Sequence, residues 1–165
     1  MASILANLDK NLQIDIMDGG GLMDYSTIIL AAAKVIGVPG SLLLAICTHE
    51  SGLRNIIAPQ DHGSASYGIC QVKVETAKMV EPNANVTYIL HPENNAKIAA
   101  KYLKTQLDRY DGDWCKATAA YNSGTYNPST KVPGKPRNLK YVKAVTLHLD
   151  EEHKDFLICG PRKIE

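Results

Sequence analysis

Glu50 closes the segment Ile46-Cys47-Thr48-His49-Glu50-Ser51-Gly52-Leu53, a carboxyl at the end of an oily helix and the first place in this sequence where chemistry can be located. Leu42, Leu43, Leu44, Ala45, Ile46 and Cys47 leave no polar face, and a short helix that is apolar all round belongs inside a domain. At helical spacing Glu50 follows Leu43, Ile46 and Cys47 and continues their stripe. Gly52 predicts the helix stop and places Glu50 in the last turn, where the carbonyl end of the helix dipole disfavours negative charge. Burial and dipole are both expected to raise its pKa, and a carboxyl that keeps its proton near neutral pH is what a general acid requires. Taken alone, the stretch equally permits an exposed Glu at a frayed helix end.

The other reactive side chains point less clearly. Cys47, Cys70, Cys115 and Cys159 contain no Cys-x-x-Cys pair, which argues against a zinc site. Cys47 and Cys115 lie in apolar helical contexts and are expected as small buried thiols, with a bridge from Cys47 to Cys70 left open. Residue types alone would permit a Cys-His amidase using Cys47 or Cys70 with His49 or His62, although both thiols read as packed and neither has a motif of its own.

The elements that must position Glu50 fit one domain, since 165 residues support a single core and are too few for two. A net charge of +1 carries no polyanion-binding signature, so nucleic acid is not an expected partner. Met1 to Gly21 has Asp9, Asp15 and Asp18 against one Lys and no basic start before an apolar run, so no Sec signal is read there. The longest apolar tract, Ile28 to Val38, is broken by Lys34 and falls short of the roughly 20 residues needed to span a bilayer.

Residues 1–21 read as a lead-in ending in Gly19-Gly20-Gly21. Asp24 or Ser26 can cap a helix that Gly37 stops, and Pro39 opens the Glu50 helix. Residues 54–66 read as a polar loop, with a small β element expected over Tyr67 to Val72. Val74 to Val80 makes one or two helical turns, and Pro92 starts a long helix whose apolar face carries Ile98, Ala99, Tyr102, Leu103 and Leu107. Asp113 caps a helix from Trp114 to Tyr121, residues 126–138 form a Pro/Gly-rich loop, and a last helix runs through Tyr141, Val142, Val145 and Leu149. The charged residues 149–165 read as a peripheral tail.

Three segments stand together in order and spacing: Glu50-Ser51-Gly52-Leu53, Gly68-Ile69-Cys70-Gln71 and Ala120-Tyr121-Asn122-Ser123-Gly124, with Thr76-Ala77 after the second and Tyr141 after the third. Over residues 22–148 this pattern resembles the soluble lytic transglycosylase (SLT) catalytic domain of the lysozyme-like superfamily, of bacteriophage or bacterial origin. The resemblance implies a mainly α, α+β fold, a helical domain with a small β element flanking a glycan-binding cleft. It also implies cleavage of the β-1,4 bond from N-acetylmuramic acid (MurNAc) to N-acetylglucosamine (GlcNAc) in peptidoglycan, leaving 1,6-anhydro ends. Glu50 matches the sole acid/base. Ser51 matches the neighbour that orients it or binds substrate, Gln71 a cleft residue for an N-acetyl group, and Tyr121 and Asn122 the pair beside the scissile bond. Tyr141 matches a Tyr whose hydroxyl lies near the acid. Cys70 stands where the family usually has Met, and Val74 where it has Pro, changes that bear on cleft shape.

No cofactor or metal is implied, and the expected partners are peptidoglycan glycan strands, with chitooligosaccharides as analogues, for a monomeric protein. The substrate lies at the bacterial wall or in the periplasm while no export signal is read, which fits a phage virion or lysis protein. A goose-type-like muramidase would need a second carboxylate, for which Asp61 and Glu75 are nearest in sequence. An inactive wall-binding module is a further alternative, against which the joint presence of Glu50, Gln71, Tyr121 and Asn122 argues. Lys131, Lys135 and Arg137 gather positive charge just after the Tyr121-Asn122 pair, either as a solvated loop or as contacts for muramoyl carboxylates.

Overall fold

Asp24 opens the first helix of the computed structural model, which describes residues 14–15, 24–61 and 63–160. Its carboxylate accepts from the Ser26 N–H at 3.1 Å, and helix α1 (Tyr25–Ile36) runs until Gly37 closes it in the left-handed conformation. Pro39 is the N-cap of α2 (Gly40–Ser51), and Gly52, at φ 65°, ends it where the sequence predicts. Leu42, Leu43, Ala45, Ile46 and Cys47 have no exposed surface. α2 packs against α1, α5 (Pro92–Arg109) and α7 (Leu139–Thr146), so it forms the middle of the core. Each Leu or Ile removed from water there contributes about 1.5–3 kcal/mol, which fixes the helix that carries Glu50.

A three-stranded antiparallel sheet, in the order β1 (Ile14–Asp15), β2 (Ile56–Asp61), β3 (Ser64–Tyr67), flanks one end of α2. Ile57 pairs with Ile14 on one side and Tyr67 on the other, with an irregularity between Ala58 and Asp61. This corrects the expected position of the β element. The polar segment read as a loop forms the sheet, whereas Tyr67 and Val72 share only an isolated bridge. Pairing and the complete burial of Ile56 outweigh the low strand propensity of a run containing Pro59. Ile14 and Asp15, within the lead-in, contribute the edge strand.

The remaining helices are α3 (Val74–Val80), α4 (Val86–Leu90), α6 (Trp114–Ser123), α8 (Glu151–Lys154) and a 3-10 turn at Asp155–Leu157. Pro92 occupies the first turn of α5, and Asp113 caps α6 by accepting from the Lys116 N–H at 2.9 Å. α4 is not foreseen from the sequence; the Asn85 side chain caps it through the Tyr88 N–H.

The expectation of buried thiols is corrected, because all four cysteines are oxidised: Cys47 pairs with Cys70 and Cys115 with Cys159. Cα separations of 4.2 and 5.2 Å bring each pair within bridging range. In the chain-entropy account, loops of these lengths correspond to roughly 3–4 kcal/mol of stabilisation each. The first bridge staples the last turns of α2 to the turn that leads into Gln71. The second joins residues beyond 148 covalently to α6, and Leu149 and Leu157 are buried with it.

Asn95, on α5, is fully buried and fully used. Its Nδ2 donates to the carbonyls of Tyr67 (2.8 Å) and Ile89 (3.0 Å), and its Oδ1 accepts from the Cys70 N–H at 2.8 Å. One amide therefore ties α5 to the end of β3, to α4 and to the Gly68–Cys70 turn. Gly68 is required twice over. Its φ is 79°, and a Cβ there would lie 2.2 Å from the Asn95 Nδ2.

Candidate active site

Glu50 sits half-buried in the last turn of α2 and lines a cleft with Gln71, Val72, Lys73, Thr76, Tyr102, Tyr121 and Asn122. The exposed, frayed-end alternative is therefore not what is seen. Tyr141, on α7, donates its hydroxyl to Glu50 Oε1 at 2.6 Å across 91 residues of sequence. Burial first, and then the Glu50 charge, push the Tyr141 phenol well above its ordinary value, so it stays protonated and acts as a donor. Tyr121 behaves alike, raised by burial and then by Glu50. Its ring tilts against Tyr102 with centroids 5.3 Å apart, and its hydroxyl makes a long contact of 3.5 Å to the Cys70 carbonyl.

His49, next to Glu50, packs edge-on to Tyr141 with centroids 5.1 Å apart and backs the phenol. Burial, and then neighbouring His148, lower its pKa, so its ring is neutral at neutral pH. With Cys47 and Cys70 bonded to each other, neither is a thiol nucleophile, which removes the amidase reading; His62 lies outside the described residues.

Gln71 reaches the cleft, and its amide is engaged inside the protein. Its Oε1 accepts from the Ser66 hydroxyl at 2.8 Å, while Nε2 donates to the carbonyls of Gly68 (2.7 Å) and Ile56 (3.1 Å). These bonds hold Gln71 at φ 48°, a left-handed backbone that costs a non-glycine residue about 1–2 kcal/mol. Ser51 is buried and absent from the cleft lining. Its hydroxyl donates to the Ile69 carbonyl at 2.7 Å and accepts from the Arg54 N–H at 3.2 Å, pinning the exit of α2 to the turn before Gln71. Asn122 is exposed at the cleft edge, where its Oδ1 accepts from Asn138 Nδ2 at 3.0 Å.

Six residues named from the sequence thus fall in one region: Glu50, Gln71, Tyr121 and Asn122 on the cleft, Tyr141 on the acid, and Ser51 behind them. Tyr102, Lys73 and Thr76 also line the cleft. Tyr102 lies on the apolar stripe of α5, so periodicity reads it as core; only its neighbour Tyr121 marks it as more. Glu75 is exposed and outside the lining, and nothing is described of the Asp61 side chain. Among the described residues that line the cleft, Glu50 is the sole carboxyl.

Over residues 27–141 the sequence matches the family described as Transglycosylase SLT domain. The chain belongs to that family. The fold also resembles that of lytic transglycosylase Slt from Pseudomonas aeruginosa, solved as an inactive mutant, with a TM-score of 0.55 and 19% identity over 82% of this chain. The chain spans 22% of that protein's length. Membership supports a lytic transglycosylase function at the level of the family, within the mainly helical α+β fold described above. No helix among the described residues is long and apolar enough to cross a membrane.

Proposed function

We propose that this SLT domain is a lytic transglycosylase that cleaves the MurNAc-β-1,4-GlcNAc bond with Glu50 as its single acid/base. The observation that carries the reading is Glu50 alone among the described carboxyls on the cleft, with one oxygen held by a phenol that stays protonated. Glu50 gives its proton to the leaving O4 of GlcNAc as the C1–O4 bond breaks. The muramoyl C6 hydroxyl then attacks C1 and returns its proton to Glu50, so that atoms and charge balance and no water enters. Inverting hydrolysis would need a second carboxylate to activate water, and retaining hydrolysis one to form a glycosyl intermediate. Lytic transglycosylase Slt from Pseudomonas aeruginosa is inactive as a Glu-to-Gln mutant, which accords with one indispensable Glu. Digestion of purified wall in 18O-labelled water tests the reading. Products free of solvent oxygen are expected, and label at C1 of each new MurNAc end would mean hydrolysis.

Tyr141 has a positioning role in this reading, since its hydroxyl fixes Oε1 and turns the carboxyl toward the bond. The same hydrogen bond favours the ionised carboxyl. Tyr141→Phe is therefore expected to lower kcat by about 10- to 100-fold, the range of one hydrogen bond to a charged group. It should also move the alkaline limb of the pH–rate profile upward, because the acid loses a partner that stabilised its deprotonated form. An unchanged kcat and profile would remove Tyr141 from the machinery.

A further inference from the structure

We propose that Lys73 is the residue with which the cleft recognises a carboxylate on the muramoyl unit, lactyl or stem-peptide, a specificity that rests on the lytic transglycosylase reading above. Among the described residues lining the cleft, Lys73 is the sole cation. The loop cations Lys131, Lys135 and Arg137, read from the sequence as either a solvated loop or contacts for muramoyl carboxylates, are not on that lining, and Lys135 Nζ instead donates to the Cys159 carbonyl. Lys131 and Arg137 are exposed elsewhere on the loop.

The backbone of Lys73 is anchored on both sides. Val72 exchanges two hydrogen bonds with Tyr67, at 2.9 and 3.0 Å, and the Lys73 carbonyl accepts from the Ala77 N–H at 2.9 Å as α3 begins. Its half-buried side chain therefore leaves a fixed point two residues beyond the braced Gln71. A cation sharing a cleft with the acid favours the ionised carboxyl and so lowers the fraction of Glu50 that carries the proton the first step needs. A substrate that brings its own negative charge to the lysine offsets that effect. Neutral chitooligosaccharides bring none, whereas muramoyl units carry the lactyl carboxyl or, when it is amidated, the carboxylates of the attached peptide. Within a partly desolvated cleft such a pair is screened less than on the surface.

The test compares Lys73→Met and Lys73→Arg with unchanged Lys73, all in the Glu50→Gln protein so that ligands stay intact. Calorimetric Kd values are measured for peptide-bearing muramoyl glycan fragments, for the same fragments stripped of peptide, and for chitooligosaccharides of equal length. Lys73→Met is expected to reduce the preference for a charged over a neutral ligand about tenfold, roughly one charge-assisted contact. Lys73→Arg should keep most of it, and added salt should weaken it wherever the charge is present. The charged ligand whose preference collapses identifies the carboxylate. A preference unchanged by Lys73→Met on both charged ligands, or lost equally in Lys73→Arg, overturns the proposal. Wall digestion by the protein with Glu50 intact separates the two levels. Anhydro products with an unchanged preference refute only the role of Lys73, and absence of cleavage refutes the underlying reading.

Discussion

Replacing Glu50 with Gln is expected to lower wall-lytic turnover by at least about a thousandfold, because in the proposed mechanism one residue performs both proton transfers and each contributes about 10²–10⁴. The fold should survive. Gln is nearly isosteric, its amide oxygen can still accept from Tyr141, and the half-buried site loses no apolar packing. Turbidity loss of a wall suspension reads the activity, and a thermal melt reads the fold. Lysis at the unaltered rate by a normally folded Glu50→Gln protein would contradict the assignment, whereas a collapsed melt would make Glu50 a structural residue first.

The largest expected loss of stability belongs to Asn95→Ala. Two buried backbone groups, the Cys70 N–H and the Ile89 carbonyl, would lose their partner at once, and the Tyr67 carbonyl would keep only the Val72 N–H. Each unsatisfied group costs about 1–3 kcal/mol, so a total of roughly 2–5 kcal/mol is expected. Urea denaturation with the disulfides intact measures it as a lower midpoint at unchanged slope. Activity should fall as well, because the freed turn carries Gln71. A loss under about 1 kcal/mol would mean that Asn95 does not organise the turn.

Helix ends are legible in the sequence wherever their signals are local. Asp24, Pro39, Gly52, Pro92 and Asp113 cap or stop helices through their own backbone preferences and near neighbours. The cleft is legible because its residues sit in short segments at the ends of those helices. What escapes is set by distant partners. The sheet forms in a polar run because Ile56 is buried and Ile57 pairs on both sides, and the cysteine pairings join positions 23 and 44 residues apart. The family resemblance names Gln71 and Ser51 as candidate substrate contacts, yet it cannot show that the Gln71 amide is taken by Ser66, Gly68 and Ile56, or that Ser51 fastens onto Ile69. Asn95 carries a faint signal, a polar side chain four residues before Ala99 on a mostly apolar stripe, and its meaning depends on three segments meeting there.

The structure of the new chain ends tests the central claim most directly. Purified peptidoglycan is digested to completion with the protein, and the muropeptides are resolved by mass spectrometry. A single acid/base that relays the C6 hydroxyl proton predicts 1,6-anhydro-MurNAc at every new MurNAc terminus and none in the Glu50→Gln digest. Reducing MurNAc ends, generated by the protein with Glu50 intact, would contradict it and make the enzyme a muramidase.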